Sequence, residues 1–167
     1  MAISRDVALE RMREAVALWY VDQCSAADIV YAACDVLAAG LDGPSLRELA
    51  AVSVKQADID VHPLLEPALH DLRIAVHRKD SPEALRKGLR AMASRVLAGA
   101  IDPRVLTQRA YATWIADDTD DETSELVESL AQLECDYDVA EALAYDTADV
   151  DAKVIAEARW IAKPGSE

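Results

Sequence analysis

The chain has 167 residues, with 31 acidic and 17 basic side chains, a net charge of −14, five Gly, six Pro and no Phe. That length suits one domain and buries enough apolar surface to fold without a disulfide or a metal. The charge disfavours nucleic acid and anionic membranes as main partners, and the Ala-rich, Phe-free composition favours helix over sheet.

A first helix is expected from Ser4 to about Asp22, with Ala8, Met12, Ala15, Val16 and Trp19 on its apolar face. Arg5, Asp6, Glu10, Arg11, Arg13 and Glu14 interrupt any signal-peptide core, and no apolar run approaches the length of a membrane span. Ser25 and Asp28 resemble a capping box and open a second helix striped by Ile29, Ala33, Val36 and Leu37. Cys34 lies beside that stripe and reads as a buried, inert thiol. Cys24, Cys34 and Cys135 have no CxxC spacing, which fits free thiols in a reducing cytoplasm.

Residues 36–50 (VLAAGLDGPSLRELA) and 96–110 (VLAGAIDPRVLTQRA) echo one another sixty residues apart. Val36/Val96, Leu37/Leu97, Asp42/Asp102, Leu46/Leu106 and Ala50/Ala110 match in that register. Each stretch spells a corner. A helix runs out at small residues, an Asp stands ready to cap, and Pro44 or Pro103 opens the next helix. Two short copies fall below what a repeat array needs.

After the first corner, Leu46, Leu49, Ala50 and Val54 are expected to face inward, and residues 55–60 to form a loop. Leu65, Leu69, Leu72 and Val76 keep helical spacing, with Pro63 and Pro67 demanding a bend or a turn. Ser81-Pro82-Glu83 is a strong start signal for a helix striped by Leu85, Leu89, Met92 and Val96. Pro103 opens a helix with Leu106, Ala110, Thr113 and Trp114. Thr119 and Glu122 form a capping box before Leu126, Val127, Leu130 and Leu133. Residues 137–145 suggest a short separate helix, and Val154, Ile155, Ala158 and Ile161 a last one, stopped by Pro164-Gly165. The expected fold is all-α: a single-domain bundle of about seven or eight short helices over residues 1–163, with 164–167 as a tail.

Catalytic, cofactor-binding and metal-ligating sets are not identified, and no cofactor is expected. His62, His70 and His77 lack HExxH spacing and read as exposed helix-face imidazoles near a basic loop, even with Glu66 one turn before His70. Placing Asp117 first and Glu128 twelfth in a calcium loop puts Thr119 at a ligand position and Glu122 where Gly is required. Phosphate-loop, dinucleotide and nucleophile-elbow motifs are absent from the sequence.

The stretches GLDGPSLRELA (40–50), AGAIDP (98–103) with Trp114 eleven residues on, and DAKVIAEARWIA (151–162) resemble an uncharacterised family of small acidic helical proteins from high-GC bacteria. The resemblance implies a cytoplasmic, single-domain helical protein and carries over no functional residue.

Charge is unevenly spread. Residues 73–109 carry nine basic and three acidic side chains, whereas residues 110–167 carry three basic and sixteen acidic ones. The leading expectation is a non-catalytic protein-interaction module, such as an immunity- or antitoxin-type inhibitor of a basic partner protein. Asp117, Asp118, Asp120, Asp121, Glu122 and Glu125 are its candidate partner-binding residues. The alternatives are an enzyme whose site is assembled from scattered Asp, Glu, His and Tyr, and a nucleic-acid binder using residues 73–109.

Overall fold

The structure, a computed structural model, describes residues 3–116 and 121–163, without the side chains of residues 121 and 122. Among the described residues there are eight α-helices, one 3₁₀ turn and no strand. The all-α expectation holds. The helices fall into two compact units, Met1–Ser81 and Pro82–Glu167.

The first unit contains α1 (Arg5–Tyr20), α2 (Ala26–Ala38), α3 (Pro44–Ala50), a 3₁₀ turn (Val54–Gln56) and α4 (Ala57–Asp71). Helix α2 is its centre and packs on α1, α3 and α4. Its start is fixed by the expected capping box: the Ser25 hydroxyl accepts from Asp28 N, and the Asp28 carboxylate accepts from Ser25 N at 2.8 Å. Ile29, Ala33 and Val36 of α2, Ala8 and Met12 of α1, and Leu46 and Leu49 of α3 are all fully buried, the apolar stripes of helices that pack on α2.

Several local expectations are corrected. Residues 57–60 are helical, and α4 runs unbroken through Pro63 and Pro67. Both prolines lie on its exposed side, so the carbonyls of Ile59 and Pro63, which lose their helical donors, sit at water-facing positions. The helix stops at Asp71, leaving Val76 outside it, and Val54 is 45% exposed. Cys34 is exposed, with its thiol 3.6 Å from the Ala50 carbonyl, because it lies off the buried face of α2. Residues 72–81 return to the end of α1. There His77 N donates to the Tyr20 hydroxyl at 3.1 Å, and the Lys79 ammonium sits 4.6 Å over the Trp19 ring and 2.6 Å from Asp22. Burial raises the Tyr20 pKa, and the bond from His77 N pulls against that rise.

The second unit contains α5 (Pro82–Leu97), α6 (Pro103–Ala116), α7 (Asp121–Ala142) and α8 (Ala148–Ile161). They alternate in direction. Arg86 near the start of α5 donates to Thr123 near the start of α7 at 2.8 Å, whereas Arg104 at the start of α6 reaches Glu141 at the end of α7. Helix α6 packs mainly on α7 and α5 mainly on α8. Leu89, Met92, Leu106, Leu130 and Val154 fill the middle. Residues 121–142 form one helix, not two; nothing between them breaks it, and the buried residues Glu134 and Tyr137 continue its inner face where the apolar stripe lapses. Trp114 is 49% exposed near the end of α6. The Thr119/Glu122 capping box lies outside the described residues.

Candidate functional site

Of the acidic residues picked from the sequence, Asp117, Asp118 and Asp120 lie outside the described residues, as do the side chains of Asp121 and Glu122. Glu125 is exposed on α7. The histidines do not converge. His62 and His70 are exposed on α4, His62 with its ring 4.7 Å from Trp19, while the half-buried His77 lies against Tyr20 in the segment after α4. Among the described residues, no group of three or more His, Cys, Asp or Glu could hold a metal ion. Nor is any helix among them long and apolar enough to cross a membrane.

Three cations of the basic middle of the sequence pair with the chain's own acids. Lys79 pairs with Asp22, Arg86 with Glu83, and Arg104 with three carboxylates at once. Arg104 stands in the first turn of α6 and faces α7. Its Nε donates to Glu134 at 3.1 Å and its Nη2 to Asp138 at 2.9 Å, with Glu141 completing the set. These three acids occupy one face of α7 at helical spacing. The guanidinium also lies 5.2 Å from the Tyr137 ring centre. Hydrogen bonds to Glu141 and Glu134 raise its pKa.

Behind Arg104 the network is buried. Glu134, 6% exposed, accepts from the Thr107 hydroxyl at 2.5 Å, and Tyr137, 2% exposed, donates its hydroxyl to Asp151 of α8. Burial first, and then Asp151, pushes the Tyr137 phenol well above its usual value. Every polar group here has a partner inside the unit. The network clamps α6, α7 and α8 together.

The opposite side of the same stretch of α7 is different. Asp136, Val139 and Ala140 form one wall of an open groove of about 470 Å³, and Asp149, Val150 and Lys153 of α8 form the other. The connection between the helices closes one end with Tyr145 and Asp146. That connection is tight: Ala144 has φ 55°, Tyr145 N bonds to the Ala140 carbonyl at 2.8 Å, and the Asp146 carboxylate accepts from Ala148 N at 3.0 Å. Large apolar side chains remain in water around it, with Val139 58%, Leu143 55% and Tyr145 68% exposed. Lys153 bridges the walls through Asp136 at 3.2 Å.

The sequence held a signal for this site. No Lys, Arg or His occurs between Arg109 and Lys153, and within that gap Asp136, Asp138, Glu141, Asp146, Asp149 and Asp151 interleave with Val139, Leu143 and Tyr145. The aspartate run at 117–121 is denser. No protein-family model, curated protein or solved structure matches this chain.

Proposed function

We propose that this protein is a non-catalytic interaction module that binds a basic partner protein. The observation that carries the reading is the groove between α7 and α8, where exposed apolar side chains sit among carboxylates and Lys153 is the only cation lining it among the described residues. Apolar surface left in water gives a partner something to bury, and the acids select for positive charge and speed its approach. An inhibitor that masks the basic active site of a nuclease is one form such a module takes. The Arg104–Glu134–Tyr137 network supports the same reading, since its buried members, Glu134 and Tyr137, bond to neighbouring helices.

Panning a library of random peptides against the whole chain tests this. Enriched peptides should carry net positive charge together with apolar residues, and their capture should weaken steeply as salt is raised. Enrichment of neutral or acidic sequences, or no enrichment, would overturn the proposal.

A further inference from the structure

We infer that the groove between α7 and α8 seats a basic amphipathic helix of the partner protein, its apolar stripe against Val139, Leu143 and Tyr145 and its cations at Asp146 and Asp149. This rests on the reading of the protein as a module for a basic partner and specifies the occupant.

The shape of the site argues for a helix. Asp136, Val139 and Ala140 stand at steps of three and four on α7, and Leu143, the first residue past its end, continues the ridge to about 10 Å. Asp149, Val150 and Lys153 form the facing ridge on α8. Tyr137–Asp151 and Ser129–Glu157 at 2.7 Å hold the two helices antiparallel, so the groove has a fixed floor before anything binds. Two antiparallel ridges with apolar residues between them form the kind of surface onto which a third amphipathic helix packs.

The charges around it argue for a basic one. Asp138 and Glu141 are engaged by Arg104, Asp151 by Tyr137 and Asp136 by Lys153. Asp149 is exposed and has no ion pair among the described residues, and Asp146 bonds to Ala148 N, which leaves its negative charge without a cation. Two unneutralised carboxylates beside three exposed apolar side chains match Lys or Arg flanking a hydrophobic stripe. An acidic or neutral helix would bury the same apolar surface against uncompensated charge.

The probe is a synthetic peptide of Leu and Lys with the leucines at steps of three and four, compared with a peptide of the same composition in scrambled order. Both are titrated into the whole chain, with backbone amide shifts and dissociation constants as readouts. The striped peptide should bind on the order of tenfold tighter than the scrambled one and shift amides of residues 136–153. Asp146→Asn with Asp149→Asn should weaken it about fivefold to tenfold, at less than about 1 kcal/mol per exposed pair. Asn keeps an acceptor for Ala148 N, so the corner stays capped. Tyr145→Ala should weaken it comparably, while Glu48→Gln with Asp58→Asn, exposed acids of the other unit, should leave it unchanged. Equal binding of both peptides, or shifts that map away from the groove, would overturn the helix-in-groove assignment and leave the basic-partner reading standing. Binding of neither peptide would overturn both.

Discussion

Pro44 and Pro103 each open a helix after a glycine in the left-handed region, Gly40 at φ 82° and Gly99 at φ 68°. At the second corner Asp102 stands immediately before Pro103, and its carboxylate accepts from Arg104 N at 2.9 Å, an ordinary N-cap. At the first corner that position is Gly43, which has no side chain to offer. The acceptor comes instead from Asp71 at the end of α4, bonded to Ser45 N at 2.8 Å and Leu46 N at 3.0 Å. Asp42 sits one residue too early and pairs with Arg47, whose guanidinium holds its carboxyl below the usual range. One corner is capped by its own chain neighbour and the other by a different helix. The second arrangement ties helix formation to tertiary packing: α3 is capped only when α4 is in place.

The strongest test of the locally capped corner lies one residue past its N1 proline. Arg104→Met would leave buried Glu134 with the Thr107 hydroxyl but no cation, and urea denaturation should register a loss of about 3–5 kcal/mol. Adding Glu134→Leu should return most of it. A loss under about 1 kcal/mol would place Arg104 among ordinary surface pairs.

Gly43→Ala tests the remote cap. A Cβ there would lie 2.5 Å from the Asp71 carboxylate oxygen and 2.6 Å from its Cβ and Cγ, so Asp71 must leave Ser45 and Leu46. The expected cost is about 2–3 kcal/mol, from crowding and from lost charge-assisted hydrogen bonds. In the background of Asp71→Ala the same change should cost far less; equal costs in both backgrounds would mean that the two residues are not coupled.

The smallest effect separates two aspartates that share a place in the sequence echo. Asp102→Ala should cost about 1 kcal/mol in thermal unfolding, the worth of an N-cap. Asp42→Ala, at a fully exposed pair, should not measurably move the transition. Matching losses would show that both aspartates cap after all.

These corners also show what could be read in advance. The glycines, prolines and Ser25/Asp28 announce helix ends through their own chemistry, and the helices they bound are where the sequence places them. Three further helix ends turn through the left-handed region on Asp22, Arg73 and Ala144. No glycine marks them, so the end of α4 at Asp71 and the connection at residues 143–147 were not legible. The echo itself misleads by one residue. Its identities fall sixty apart, but the corner glycines and helix-opening prolines fall fifty-nine apart. The length of α7 was hidden because a buried Glu134 and Tyr137 look like the end of an apolar stripe until Arg104 and Asp151 are known to meet them. The groove depends on the same long-range pairings and could be read only as a charge gap.

Helix α7 ends without a basic residue in its last turn, and Asp136, Asp138 and Glu141 crowd the end where the helix dipole is negative. In isolation this half of the helix would be working against its own field. The missing positive charge comes from other helices: Arg104 of α6 pairs with Asp138 and Glu141, and Lys153 of α8 with Asp136. The amides of α7 should therefore not fray residue by residue from the C-terminus. In hydrogen–deuterium exchange, residues 134–142 should open together, at the rate at which α6 parts from α7.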